Sequence, residues 1–190
     1  MDEEITNNSL LDKIILKLKK NFKIILIIIF IILISFSTYL FLNLKKNKKN
    51  ILISENYNFA SILLKENKNE EAKEILKNII NLEHKTYSPL ALYFIIDKKL
   101  EKNPETIILS FDKVLSINSI NNEGKNLIKI KKSLFLLNIL RSEEAIAILN
   151  PITSSDSVWK ETAIKIIAEY YQFKNEQIKA KEYYDLLKNN

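Results

Sequence analysis

Residues 59–76 read Phe59-Ala-Ser-Ile-Leu-Leu-Lys-Glu-Asn-Lys-Asn-Glu-Glu-Ala-Lys-Glu-Ile-Leu76. Apolar residues recur here at helical spacing on both sides of the polar break Asn67-Lys68-Asn69, the pattern of two helices joined by a short turn. Ala72 follows Ala60 by twelve residues. In an antiparallel hairpin this step sets one small residue opposite another, so the two backbones can approach closely. Phe59, Leu63, Leu76 and Ile79 surround the pair with apolar side chains. Glu70 and Glu71 open the second helix after the Asn, where acidic groups suit the positive end of the helix dipole.

The same step recurs downstream. Ala180 follows Ala168 by twelve residues and Ala145 follows Ser133 by twelve. Ile167, Tyr171, Tyr184 and Leu187 repeat the apolar offsets around the last pair. A second unit, between the first and third, has Ile107 where the alanine is expected. The equivalent positions 72, 107, 145 and 180 make a near-constant period, the mark of stacked repeats. Helices are expected over 52–66, 70–82, 88–101, 104–116, 123–140, 143–149, 157–173 and 176–188. Ser88-Pro89, Asn103-Pro104 and Asn150-Pro151 each set a capping-type residue before a proline at a helix start, although Asn150-Pro151 also fits a helix end. Ser133/Ala145/Leu149 departs from the pattern because Lys132 stands where an apolar residue is expected.

Upstream, Ile24 to Leu44 is 21 residues without a charge. As a helix it spans roughly 30 Å, the thickness of a bilayer's hydrocarbon core. Ser35, Ser37 and Thr38 in its second half have hydroxyls that can bond back to helix carbonyls. The segment runs directly into Lys45-Lys46-Asn47-Lys48-Lys49 with no small-residue cleavage pattern, so it reads as an uncleaved signal anchor. Five lysines precede it and four follow, too even a split to orient it by the positive-inside rule. Leu10, Leu11, Ile14, Ile15 and Leu18 form an apolar stripe before the span. The stripe fits either a helix lying on the leaflet or an extension of the membrane helix. The expected organisation is a cytoplasmic amphipathic segment over 1–23, a transmembrane helix over 24–44, a basic linker over 45–50 and a repeat domain over 51–190.

Composition excludes several functions. One Gly rules out Gly-rich phosphate loops and argues against an all-β fold. No Cys and one His leave no zinc, haem or iron–sulfur ligand set and no thiol nucleophile. The net charge of +6 invites a nucleic-acid reading. Yet residues 1–50 carry nine lysines against four acids, while 51–190 carry 20 basic and 19 acidic groups. The surplus brackets the apolar segment, so no concentrated cationic surface for phosphates is expected. No cofactor, metal, small-molecule substrate or catalytic group is expected. Glu70/Glu71 and Glu143/Glu144 read as dipole complements, His84 as a turn residue, and Trp159 with the Tyr170/Tyr171 and Tyr183/Tyr184 pairs as core and capping aromatics.

Ala60/Ala72/Leu76, Ser133/Ala145/Leu149 and Ala168/Ala180/Tyr184 resemble the tetratricopeptide repeat, a 34-residue helix-turn-helix unit. The early Trp, the Gly and the late Pro of that family's pattern are absent. The resemblance implies an all-α fold: a transmembrane helix, then an α-solenoid of about four degenerate hairpins. The layout of charged N-terminus, one span and repeats is similar to a bacterial membrane-anchored family that includes the ancillary subunit of the Sec translocon. That implies the inner membrane, a periplasmic repeat domain, and the translocon, periplasmic chaperones or their clients as protein partners. A cytoplasm-facing docking receptor and a structural subunit of a membrane complex are the alternatives. The first-helix face of the repeats, the usual binding side of a solenoid, is the candidate partner groove, the alternative being that the domain's own helices cover it as core. The register puts Tyr57, Ser61 and Leu64 there, then Leu92 and Ile96, then Ile130, Leu134 and Leu137, and last Lys165, Glu169 and Gln172.

Overall fold

A computed structural model of the chain describes residues 12–13, 15–17 and 19–188; the side chain of Ile25 is not described. Eight helices follow in order: α1 Phe22–Lys65, α2 Asn69–Asn81, α3 Tyr87–Asp97, α4 Pro104–Leu115, α5 Asn122–Asn138, α6 Ser142–Thr153, α7 Lys160–Phe173 and α8 Gln177–Lys188. Described residues before Asn21 are helical too. No strand occurs among the described residues, so the fold is all-α. The chain divides into two compact units, Met1–Leu52 and Ile53–Asn190, with the boundary inside α1.

In the first unit α1 is long and apolar enough to cross a membrane, and none of its most apolar stretch is buried in protein. A core helix of a soluble protein would be covered. Without protein cover, so much exposed Ile, Leu and Phe needs another apolar medium. Thr38 donates its hydroxyl to the Ile34 carbonyl at 2.8 Å, the back-bonding expected of the polar half. Residues 45–50, read from sequence as a linker, are helical and belong to α1. Leu10, Leu11, Ile14 and Leu18, four of the five residues of the amphipathic stripe, lie outside the described residues.

The second unit is built from hairpins pairing the end of α1 with α2, then α3 with α4, α5 with α6 and α7 with α8. All six small residues of the twelve-residue step are buried: Ala60, Ala72, Ser133, Ala145, Ala168 and Ala180. Ser133 satisfies its hydroxyl by donating to the Lys129 carbonyl at 2.8 Å. Around Ala60 and Ala72 run Ile53, Leu63, Leu76, Ile79, Leu92, Ile95, Phe111, Val114 and Ile128 in one core, while Ala145 packs with Ile108 and Leu136 in another. Leu149, Ile152, Ala163 and Ile167 extend the packing in the last two hairpins.

One turn geometry closes all four hairpins. Asn67, Lys99, Leu140 and Asn175 have φ of 61°, 52°, 63° and 60°. The following N–H donates back to a carbonyl five residues earlier, Lys68 to Leu63, Leu100 to Ile95, Arg141 to Leu136 and Glu176 to Tyr171, each at 2.9 Å. This is the Schellman closure, which satisfies carbonyls a helix end would otherwise orphan. Asn69 and Ser142, which precede the acidic first turns of α2 and α6, do not cap them. Each of those residues already lies in its helix, and Lys68 and Arg141 hold the cap positions without a side-chain cap bond.

The prolines divide. Asn103 caps α4 as expected, accepting from the N–H groups of Glu105 and Thr106. α3 begins at Tyr87, so Ser88 is inside the helix rather than its cap. Its buried hydroxyl instead donates to the Ile79 carbonyl and accepts from the His84 N–H, both at 2.8 Å. Pro151 lies in the last turn of α6 and starts no helix. α3 stops at Asp97, short of the expected 101, because Lys99 turns the chain.

Lys132 explains its odd place in the repeat. It is buried, but its ammonium donates to Asp112 of α4 at 2.5 Å. Arg141, the only arginine, forks onto Glu144 at 2.5 and 2.7 Å and reaches Glu105 at 2.7 Å, joining the second hairpin to the third.

Candidate interaction face

Three openings lie along the first helices of the hairpins. The first, about 360 Å³, is lined by Ser61, Leu64 and Lys65 of α1, Asn69 of α2, Phe94 of α3, and Lys98 and Leu100 beyond it. The second, about 260 Å³, lies between α3 and α5 and is lined by Tyr93, Ile96, Asp97, Lys131, Leu134, Phe135 and Asn138, with Phe111 behind. The third, about 300 Å³, lies between α5 and α7 and is lined by Leu134, Leu137, Leu140, Ser142, Ile166, Glu169, Tyr170, Phe173 and Lys174. Leu134 borders both the second and the third.

Helical period explains which side chains reach this face. On α5, Ile128, Ser133 and Leu136 turn into the core, leaving Lys131, Leu134 and Asn138 on an adjacent stripe. On α3, Ala91, Leu92 and Ile95 are buried, Tyr93 and Phe94 are part-buried beside the openings, and Asp97 is exposed. Lys131 places its ammonium 5.8 Å from the Tyr93 ring centroid. Burial pushes the Tyr93 phenol up to about 12. Tyr57 rests 5.7 Å from both Tyr87 and Phe94, and its pKa is raised by burial and then by the Asp97 carboxylate.

The expected face residues separate into three groups. Ser61, Leu64, Ile96, Leu134, Leu137 and Glu169 line the openings. Leu92 and Ile130 do not: they are 1% and 3% exposed and belong to the core. Their register is off by one or two positions, and Tyr93, Phe94 and Lys131 take the places assigned to them. Tyr57 packs beside the first opening, and Lys165 is exposed with its ammonium 3.8 Å from Glu169. Gln172 turns away, accepting from the Tyr184 hydroxyl at 2.8 Å, and lines a separate opening against α8.

The sequence reading missed Leu140 and Phe173. Both are apolar, 89% and 82% exposed, and both border the third opening. Leu140 also holds the left-handed turn position that Asn occupies in the first and last hairpins. A leucine between Ile139 and Arg141, where those hairpins have Asn, was the available signal.

Among the described residues no group of three or more His, Cys, Asp or Glu side chains is placed to hold a metal ion. His84 is engaged structurally: its Nδ1 accepts from the N–H groups of Thr86 and Tyr87 at 3.2 and 3.1 Å, at the start of α3. No family model matches the chain, and no curated protein or solved structure matches it.

Proposed function

We propose that this chain is a membrane-anchored protein–protein interaction scaffold that holds a polypeptide segment on the first-helix face of its repeats. The observation that carries the reading is the run of three adjacent openings along that face, two of them sharing the half-exposed Leu134. Contiguous apolar surface of this kind on a folded domain marks a contact site for another chain. A membrane anchor adds effective concentration: confinement raises encounter with a membrane-bound partner without new contacts.

The resemblance set out above favours a place beside the protein-translocation machinery of a bacterial inner membrane, with the repeats in the periplasm and an assisting role toward translocon, chaperones or clients. The test uses a photocrosslinking residue at position 134 in full-length protein in cells. The proposal expects adducts with envelope or translocation proteins, lost in Leu134→Asp although helicity and thermal unfolding persist. Adducts unchanged by Leu134→Asp would sink the groove. Proteolysis of the repeats in spheroplasts reports the orientation, and protection there would sink the periplasmic placement.

A further inference from the structure

We propose that Lys45, Lys46, Lys48 and Lys49 form a one-sided strip on α1 that binds the phosphate headgroups of anionic lipids where the helix leaves the bilayer. This rests on the membrane anchoring given under Proposed function and adds the class of lipid to it.

The first observation is register. Composition alone marks these residues as a basic linker, but α1 runs unbroken from Phe22 to Lys65, so all four lysines are held on a helix. At 3.6 residues per turn they fall within about 160° of its circumference, and all four are exposed. Asn43, Asn47 and Asn50 fall on the opposite side, within about 60°. A loose linker would present its charges in all directions; this helix separates a cationic face from an uncharged polar one.

The second observation is depth. Leu44 ends the uncharged run that starts at Ile24, and that run as a helix covers the hydrocarbon thickness. Residues 45–49 rise from about 1.5 to about 7.5 Å beyond it, and the headgroup layer is roughly 5–7 Å deep on each side. The ammonium groups therefore lie among lipid phosphates. Either orientation of the chain brings them to such a layer.

The third is the lack of a counter-ion within reach along the chain. From Lys13 to Ser54 there are nine lysines and no Asp or Glu, the longest acid-free stretch of the sequence. None of the four lysines makes an ion pair among the described residues. Their neighbours one turn away are each other, Lys45 with Lys48 and Lys49, and Lys46 with Lys49, spacings at which like charges destabilise a helix. By contrast Lys165, Lys179 and Lys188 each pair with an acid three or four residues away. Mutually repelling cations held at phosphate depth are neutralised by anionic headgroups, whose surface potential attracts basic segments beside a span. A zwitterionic headgroup carries its own cation and offers less.

The test reconstitutes full-length protein into phosphatidylcholine vesicles and confirms that it resists carbonate extraction. It then compares how much spin-labelled phosphatidylglycerol and spin-labelled phosphatidylcholine the protein immobilises. Wild type should favour phosphatidylglycerol by about twofold or more, and salt should weaken the preference. Replacing all four lysines by Gln should remove at least about half of that preference while the chain stays inserted; the N-terminal lysines are the same in both chains, so the difference reports on 45–49. The chain has no cysteine, so Leu42→Cys, on the lysine side, and Asn43→Cys, on the asparagine side, can each carry a single fluorophore at nearly the same depth. Phosphatidylglycerol with a quenching headgroup should quench position 42 more than position 43, and the matching phosphatidylcholine should quench both alike. An unchanged preference in the four-Gln chain overturns lipid binding by the strip. Equal quenching by phosphatidylglycerol at 42 and 43 overturns its one-sidedness. Inorganic phosphate that displaces the lipid more than chloride does at equal ionic strength makes a soluble anion the occupant instead. Release of wild type by carbonate overturns the membrane anchoring itself.

Discussion

Lys132 and Asp112 show how one residue can break a repeat pattern and still be built into the core. The ammonium is buried and the carboxylate half-exposed, so the cation depends on its one close partner. Asp112→Ala leaves that charge buried without its acceptor and is expected to cost about 1–3 kcal/mol in denaturant unfolding. Lys132→Met keeps the volume and removes the charge, so it should stay within about 1 kcal/mol of wild type. Equal losses in both variants would show that the side chain's packing matters rather than its charge. Glu101, in the turn between α3 and α4, gives a pH signature. The Asn103 N–H donates to its carboxylate, and the ammonium groups of Lys73 and Lys77 stand 3.2 Å away, which holds the acid down at about 2 from an ordinary 4.5. A depressed folded-state pKa stabilises above the unfolded value and is lost on acidification. Stability should therefore fall as pH drops from about 4.5 towards 2. In Glu101→Gln that part of the acid limb should flatten, with lower stability at neutral pH. An unaltered acid limb would exclude Glu101 as the group responsible.

At the scale of elements, the twelve-residue step is the feature most fully legible in the sequence. Three pairs of small residues lie at it, and all six are buried. Enlarging one overfills a contact between backbones. Ala145→Leu is expected to destabilise by about 1–3 kcal/mol, whereas the exposed neighbour Ala147→Leu should change stability by under about 0.5 kcal/mol. Similar losses at 145 and 147 would mean that α5 and α6 do not pack closely. Two residues assigned to one face divide in the same way. Ile130→Asp puts a charge into the core and should abolish cooperative unfolding, while Leu134→Asp should keep it. The sequence could not separate these two. Ile130 and Leu134 are one helical turn apart, and period alone does not say how far the apolar sector wraps around toward the neighbouring hairpin. The turns were hidden for a different reason. The first and last are written in Asn, a residue known for left-handed backbone, but the second and third use Lys99 and Leu140, which composition does not mark. Ser88 misled because its hydroxyl bridges Ile79 and His84 rather than capping its own helix.

At the scale of the molecule, the apolar segment was legible because length and composition decide it without tertiary information. The same arithmetic predicts how much change it tolerates. Residues 24–44 hold 16 Ile, Leu and Phe side chains. At roughly 0.3–0.6 kcal/mol each near the bilayer centre, these favour insertion by about 5–10 kcal/mol, less toward the ends. A lysine at the centre costs about 3 kcal/mol and also forfeits the residue it replaces. One such change should be tolerated and two should not. Ile31→Lys alone is expected to remain in the membrane pellet after alkaline carbonate extraction. Ile31→Lys with Leu33→Lys should release a large fraction of the protein into the supernatant. Lysines at Lys45 and Lys48, already beyond the apolar run, should be replaceable by Gln with no change in that partition. Release of the unmodified chain by carbonate would mean that α1 lies against protein or the bilayer surface instead of crossing, and retention of the double variant would mean that something besides the apolar helix holds the chain to the membrane.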